Sequence, residues 1–271
     1  MRPMATLSII TVTYNAGAFL ERTLRSFERC VEANPANRNE VEYLLIDGGS
    51  ADDTLKIAQK YPQLINRITS EKDAGLYDAM NKGQAQATGD YVWFLNAGDE
   101  IHDPQTLTRL LDKIHQNDAD VLYSDALIVN NAGTRLGLRS QLMPHSLPKN
   151  ITWRDFAWGM KICHQAFIAK KSICPKYDIT NLSADLGWEI VCLRRAQNIV
   201  YLDFTLCKYL AGGLSARRRW RSLADRFLVL KQHFSLLPTL LNHGWIVVRA
   251  VLHSINTKLK LEMPIEPTKQ P

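Results

Sequence analysis

Apolar and polar positions alternate along this chain with a period that changes at regular intervals. "LSIITVTYN" (7–15) is a β-branched apolar run that reads as a buried strand, and Leu20, Leu24, Phe27 and Val31 then fall on one helical face. "VEYLLID" (41–47) is a second strand, broken at Gly48-Gly49. Ser50 and Asp53 follow at capping-box spacing and predict a helix to about Tyr61. A short strand near 65–69 precedes a helix carrying Leu76, Met80, Gly83 and Ala87; "YVWFLN" (91–96) is the next strand. Asp103-Pro104 then predicts the cap of a helix that turns Leu107, Leu110, Leu111 and Ile114 inward.

Strands and helices in strict alternation predict an α/β fold: a Rossmann-type, mostly parallel twisted sheet with helices on both faces. Ligands of such sheets bind beyond the carboxyl ends of the strands. Three polar clusters close strands at that edge: Thr13-Tyr14-Asn15, Asp47, and Asn96-Ala97-Gly98-Asp99. After residue 120 the pattern changes. "VLYSDALIV" (121–129), the turn "NNAG" and "TRLGLRSQ" predict a hairpin, "CHQAFIAKK" (163–171) a strand, "SADLGWEIVCLRRAQ" (183–197) a helix and "NIVYLD" a strand. "GGLSARRRWR" introduces two C-terminal helices, and a polar tail follows Leu261.

At 271 residues, with 46% apolar and 22% charged, the chain suits one large α/β domain or a domain with an appendage. The five cysteines form no C-x-x-C pair and no zinc spacing, which suits reduced thiols. "LSIITV" is too short for a signal-peptide core. "WIVVRAVL", interrupted by Arg249, falls short of the roughly 18–20 residues of a membrane span. Of the net charge of +6, residues 216–260 hold nine Lys/Arg against one acid, Asp225, so the basicity is concentrated there and the remainder is slightly acidic.

No G-x-G-x-x-G follows the first strand and no G-x-x-x-x-G-K-[ST] occurs, which sets aside dinucleotide redox chemistry and P-loop phosphate cleavage. Asp47 has two readings: an Asx-turn that holds the Gly48-Gly49 bend, or an acceptor for a nucleobase imide or ribose hydroxyl. Asp99 caps the next segment or ligates a hard cation. Mg²⁺ or Mn²⁺ needs only one or two protein carboxylates when substrate phosphates complete its shell, and Asn96 can support it through its carbonyl.

"SIITVTYN", "LLIDGGSADDT", "SEKDAGLYDAMNKG" and "YVWFLNAGD", in this order and spacing, resemble the nucleotide-binding half of the family 2 inverting glycosyltransferases of GT-A fold. The bacterial exopolysaccharide branch, similar to the colanic-acid glycosyltransferases, is the nearest likeness; "CHQAF", "SADLGWEIVCLRR" and "GGLSA" extend it to about residue 216. The resemblance implies a catalytic domain over 1–215, with a nucleotide-sugar half at about 7–120 and an acceptor half at about 121–215. A basic amphipathic helical extension and tail over 216–271 follows. It implies transfer of a hexosyl or deoxyhexosyl group from a UDP- or GDP-sugar to a lipid-linked saccharide hydroxyl, with inversion.

The resemblance puts Thr13, Tyr14 and Asp47 around the base and ribose, and Asp73 and Asn81 near the ribose-diphosphate or donor sugar. Asn96-Ala97-Gly98-Asp99 takes the place of the usual D-x-D with only its last acid kept, so Asp99 is the expected ligand of Mn²⁺ or Mg²⁺ and the second ligand is open. Asp185 matches the general base that removes the acceptor's proton; read without the resemblance, it complements a helix dipole behind Ser183. Glu189, one turn on, is the alternative base. His164 and Gln165 are expected at the donor–acceptor junction; apart from the resemblance, His164 reads as a structural histidine. "RRRWR" and "HGWIVVRAVLHSINTKLKL" (243–261) pair basic residues with Trp220, Trp245 and aliphatics, which fits a helix lying on an anionic membrane surface. No nucleic-acid recognition module accompanies them. The expected location is cytoplasmic and peripheral on the inner face of the membrane. Two rivals stand beside this reading: a sugar-nucleotide nucleotidyltransferase, and an inactive membrane scaffold that kept the nucleotide pocket.

Overall fold

The computed structural model describes residues 6–143, 147–213, 218–246 and 248. In chain order the first half contains β1 (Leu7–Thr13), α1 (Gly17–Ala33), α2 (Asn37–Glu40), β2 (Val41–Asp47), α3 (Thr54–Ala58), β3 (Arg67–Ser70), α4 (Leu76–Gln86), β4 (Tyr91–Phe94), β5 (Glu100–Ile101) and α5 (Thr106–Asn117). The second half contains β6 (Val121–Tyr123), β7 (Ala126–Val129), β8 (Arg135–Leu138), α6 (Arg139–Leu142), β9 (Phe167–Lys170), α7 (Ala184–Arg195), β10 (Ile199–Tyr201), β11 (Cys207–Leu210) and α8 (Arg219–Phe234).

The expected mostly parallel sheet is present. Its seven strands run β10-β6-β9-β4-β1-β2-β3, with β9 antiparallel to both neighbours and every other pairing parallel. β1, β2 and β4 are buried on both faces, as their unbroken apolar runs require. Helix α1 buries Leu20, Leu24, Phe27 and Cys30 against them, and α5 buries Leu107, Leu110, Leu111 and Ile114. Helix α4 lies directly on β1: a Cβ on Gly83 would stand 2.4 Å from Ile10 Cγ2.

Three local expectations change. Ser50 and Asp53 do not cap α3; the Asp52 carboxylate accepts from the Thr54 amide and hydroxyl, while the Ser50 hydroxyl donates to Asp47. Asp103 likewise sits one turn ahead of α5 and accepts from the Gln105 amide at 2.8 Å. The run 121–129 is two strands rather than one. β6 belongs to the large sheet and β7 to a second sheet of order β5-β11-β7-β8. Ser124 and Asp125 make the exchange possible by supplying the missing partners at the break. Ser124 Oγ accepts from the Leu206 amide at 3.0 Å, and Asp125 Oδ1 accepts from the amides of Ala126 and Ser140. The expected hairpin is then β7–β8, antiparallel.

Helix α8 is seated on the start of α7. Asp225 accepts from the Leu182 amide at 2.8 Å, Ser183 Oγ donates to the Ser222 carbonyl at 3.1 Å, and Phe234 stacks on Trp153. A further helical run over 236–246 follows, with Ile246 buried at 7% exposure against Gly159. The outer face of this run exposes Leu236, Leu237, Leu240, Leu241 and Trp245. Residues 249–261 of the basic extension and the tail lie outside the described residues.

Candidate active site

Thr13 and Asp47 are register partners at the carboxyl ends of β1 and β2, and the backbone past β4 continues along the other side of β1 through the 3.0 Å Leu95 amide to Ile10 carbonyl bond. The three expected clusters therefore lie at one edge of one sheet. Asp47 accepts from five donors: the hydroxyls of Thr13, Ser50 and Ser70, and the amides of Gly49 and Ser50. Burial alone would raise its pKa, but the bonds from Ser50, Ser70 and Thr13 outweigh it and hold the carboxyl below its ordinary value. Both readings of Asp47 are affected. It organises the turn, and no free lone pair remains for a nucleoside unless a serine hydroxyl swings away.

The neighbouring loop is laced to this turn. Asn15, in the left-handed region at φ 48°, donates its amide to Ser50 Oγ at 2.8 Å and accepts from the Ala51 amide at 2.9 Å. Tyr14 is left pointing outward at 67% exposure. Asp73 lies over the same bend, since a Cβ on Gly48 would stand 2.4 Å from its Oδ2; its Oδ1 accepts from the Gly75 amide. Thr13, Tyr14, Asp47 and Asp73 are thus gathered around Gly48.

At the tip of β4 the chain makes a tight turn, closed by a 3.0 Å bond from the Asp99 amide to the Asn96 carbonyl. Gly98 takes φ +104° there, and a Cβ on it would stand 2.7 Å from Leu210 Cδ2, so only glycine fits. Asp99 is buried at 4% exposure, and its Oδ1 accepts from the Leu210 amide of β11 at 2.8 Å. Burial pushes its carboxyl up to about 8. Asn96 Oδ1 is buried with no partner among the described residues. An unsatisfied amide oxygen and a poorly compensated carboxylate, three residues apart in one turn, are hard oxygen donors of the kind that suits Mg²⁺ or Mn²⁺. Among the described residues no group of three His, Cys, Asp or Glu gathers to hold a metal, so substrate oxygens would have to complete the shell.

Asp185 stands on the first turn of α7, half-buried, where its Oδ1 accepts from the Leu186 amide. Helix α4 holds the segment that delivers it. Asn81 Nδ2 donates to the Tyr177 carbonyl at 3.0 Å and Asn81 Oδ1 accepts from the Tyr177 amide at 2.8 Å. Gln84 donates to the Pro175 carbonyl and accepts from Trp188 Nε1, and the Tyr77 hydroxyl donates to the Leu182 carbonyl. Asn81, expected near the donor, therefore has both ends of its amide engaged in this support. Ser183 does not cap α7, because its hydroxyl donates to Ser222.

His164, Gln165 and Glu189 are buried together with the aromatic rings of Phe94, Tyr177 and Trp188 around His164. All three are 6% exposed or less and Glu189 is completely buried, which favours the structural reading of His164 and sets Glu189 deeper than Asp185. His164 Nδ1 lies 3.1 Å from Glu189 Oε1 and its Nε2 2.9 Å from the Tyr177 hydroxyl, inside a cage of Phe94, Trp188 and Tyr177 rings. Burial raises the Glu189 pKa against the opposing influence of His164. The structural reading of His164 describes it best.

Three residues escape the sequence reading. Tyr209 on β11 lies within electrostatic reach of Asp99, Asp185 and Arg139, and its hydroxyl abuts the backbone of Gly213. Arg139, the first residue of α6, donates Nη1 to the Lys161 carbonyl and Nη2 to the Met160 carbonyl, and Arg226, in the middle of α8, is half-buried, so that burial lowers its pKa. Arg226 was visible in the sequence only as part of a basic run, and Arg139 only as part of a hairpin.

Comparisons with known proteins agree with this fold. The model of glycosyl transferase family 2 matches residues 8–175. A PGL/p-HBAD biosynthesis glycosyltransferase of Mycobacterium tuberculosis is 31% identical over 218 residues, covering 77% of this chain and 78% of that protein. The structure of S. aureus TarS 1-349 in complex with UDP-GlcNAc superposes with a TM-score of 0.66 at 21% identity, over 84% of this chain and 65% of that one. The mannosyltransferase PcManGT from Pyrobaculum calidifontis, in complex with GDP-Man and Mn2+, gives 0.61 at 16% identity, over 97% of this chain and 82% of that one.

Proposed function

The chain belongs to glycosyl transferase family 2, and from that premise we propose an inverting enzyme that moves a hexosyl or deoxyhexosyl group from a UDP- or GDP-sugar to a hydroxyl of a lipid-linked saccharide, in the synthesis of an exopolysaccharide or other cell-surface polysaccharide. In this reading Tyr14 and the turn built by Thr13 and Asp47 receive the nucleoside, with the Ser50 and Ser70 hydroxyls able to re-aim from Asp47 toward it. Asp73, over Gly48, faces the ribose-diphosphate. Asp99 and Asn96 would hold a divalent cation, which when bound would supply charge neutralisation for the departing diphosphate. Asp185 removes the proton of the acceptor hydroxyl as its oxygen attacks the anomeric carbon on the face opposite the leaving group.

One observation carries the proposal: the unpartnered Asn96 oxygen and the buried Asp99 carboxylate stand at the same sheet edge as the Asp47 turn. Structural relatives solved with UDP-GlcNAc, and with GDP-Man and Mn2+, support a nucleotide-sugar and a divalent cation as partners. The division into a catalytic domain to 215 and a basic extension from 216 forms part of the same reading. Among the described residues no helix is long and apolar enough to cross a membrane. The exposed Leu236, Leu237, Leu240, Leu241 and Trp245, next to the basic run, support peripheral contact with anionic lipid on the cytoplasmic face.

A panel of UDP- and GDP-sugars, each tested for thermal stabilisation with and without Mn²⁺, tests the reading, because a ligand that binds only the folded protein raises its melting temperature by mass action. One nucleotide class should stabilise, and more strongly with the cation. A panel with no stabilising member would refute the donor assignment. Hydrolysis of the stabilising donor by the purified chain then separates an active enzyme from an inactive scaffold.

A further inference from the structure

The helical run over 236–246 has a divided surface. Thr239, Asn242, His243 and Ile246 recur at helical spacing and are its buried or half-buried positions. His243 meets the Phe227 ring of α8 edge-on at 5.4 Å, and Ile246 Cδ1 lies 3.6 Å from where a Cβ on Gly159 would stand. The opposite face is apolar and exposed: Leu237, Leu241 and Val248, with Leu240 and Trp245 at its sides. No acid occurs in the sequence between Asp225 and Glu262.

Residues far earlier in the chain supply the neighbouring surface. The 3₁₀ turn Trp153–Trp158 is met at both ends: Trp153 stacks on Phe234, just before the run, at 5.3 Å, and Gly159, just after the turn, meets Ile246. The turn is about 12 Å long and the run about 16 Å, so the run lies along the turn. Trp158 and Trp245, the chain neighbours of Gly159 and Ile246, are both exposed. At the other end, the guanidinium carbons of Arg154 and Arg194 lie 4.8 Å and 5.0 Å from the centroid of the Trp153 ring, and both side chains are exposed. Arg194 comes from the last turn of α7, so two separate elements bring their charges to one indole. Asp155, the acid of the turn, is already engaged by the Thr152 amide at 2.7 Å and the Thr152 hydroxyl at 2.9 Å. Exposed aliphatics, indoles and arginines match in turn the apolar interior, the interface and the phosphates of an anionic bilayer.

We propose that Arg154 and Arg194, seated on Trp153, join the outer face of the run to make one docking face for an anionic bilayer, with the two guanidinium groups on lipid phosphates. This deepens the peripheral-membrane part of the proposed function and rests on it. The run engaged alone would leave the domain free to tilt. Engaged together with Arg154 and Arg194, it fixes one orientation of the domain over the bilayer.

Co-sedimentation of the full chain with phosphatidylcholine vesicles, with and without phosphatidylglycerol, tests this. The wild type should bind the vesicles that contain phosphatidylglycerol more tightly. Arg154→Gln with Arg194→Gln should weaken that binding about tenfold or more, whereas Arg154→Lys with Arg194→Lys, which keeps the charge, should stay within about threefold of wild type. Residues 148 and 151, just before the turn, are held by Tyr123 of β6, next to the β10 edge of the sheet. Lys60→Gln with Arg67→Gln removes the same charge before and on β3, the opposite edge, and should change binding by less than about twofold. Equal losses in the two glutamine pairs, or no loss in the Arg154 and Arg194 pair, would overturn the proposal. So would equal wild-type binding to both vesicles, or a lysine pair as weak as its glutamine counterpart, which would point to lost packing on Trp153. Failure of the wild type to bind either vesicle would sink the membrane reading itself. Binding that is lost when Leu237, Leu240 and Leu241 become Gln, yet survives in the arginine-to-glutamine pair, would keep that reading and overturn only this one.

Discussion

Asp99 accepts the Leu210 amide at 2.8 Å, so the turn that carries the candidate cation ligand on the large sheet is pinned to strand β11 of the second sheet. That one bond explains both the burial of the carboxylate and the need for glycine at 98, where β11 approaches too closely for a side chain. The Asn96–Asp99 turn and the strand bearing Tyr209 are thereby held at a fixed separation.

The first prediction concerns Asp99 and pH. Burial raises its pKa from 3.8 to about 8, so in this window the cation-free folded protein keeps a proton that the unfolded chain has released. Stability should fall as pH rises through the window, by up to about 1.4 kcal/mol per unit from this group. Asp99→Asn keeps an acceptor for Leu210 and should flatten that part of the profile in urea denaturation at several pH values. The same variant should lose the cation dependence of donor binding.

Asp185→Asn should lower turnover by about 10²–10⁴-fold, the usual contribution of a positioned base. The substitution keeps the shape of the side chain and, in the proposed reading, removes only the base, so UDP affinity should hardly change. Steady-state rates alongside nucleotide titration measure the two effects separately, and undiminished turnover would reject the base assignment.

Glu189 is predicted to matter for stability rather than for contact with substrate. Glu189→Ala leaves His164 Nδ1 in the aromatic cage without its carboxylate, and breaking a buried pair in this way costs about 3–5 kcal/mol. Glu189→Gln preserves a hydrogen-bond partner and should cost much less. Chemical denaturation of the two variants gives the comparison, and equal losses would contradict the pairing.

Gly83→Ala should destabilise by about 1–3 kcal/mol, because the new methyl meets Ile10 Cγ2 at 2.4 Å where α4 rests on β1. Since α4 also supports the segment carrying Asp185 through Asn81 and Gln84, turnover should fall more than nucleotide affinity. Calorimetry and kinetics on one preparation test both statements.

Replacing Leu237, Leu240 and Leu241 together by Gln should abolish binding to vesicles containing anionic lipid while leaving donor binding intact, since all three side chains face outward. Co-sedimentation with vesicles provides the readout. Undiminished sedimentation would remove the membrane contact from the proposed function.

Much of this fold can be read from local pattern. β1, β2 and β4 are uninterrupted apolar runs, and the inward faces of α1 and α5 repeat at helical spacing, so each declares itself within a few residues. The clustering of Thr13, Asp47 and Asp99 at one edge follows from parallel strand order alone. What stays hidden depends on partners distant in sequence. Asn81 looks like any exposed helical amide until Tyr177 is brought against it. Glu189 lies one turn from Asp185 and shares its chemistry, and only tertiary burial separates their roles. Arg226 is one cation among nine in its segment, and only the folded structure shows it half-buried. Ser124-Asp125 gives no strong turn signal, because its work is to satisfy backbone groups of other strands.

That exchange at Ser124-Asp125 has a mechanical consequence. A single backbone passes from one sheet to the other within two residues, so the halves behave as parts riveted together rather than as bodies on a hinge. Load on either sheet reaches the other without slack. Shuffling of acceptor segments between relatives would therefore have to carry the rivet along with the graft, since a junction cut at residue 124 tears both sheets at once.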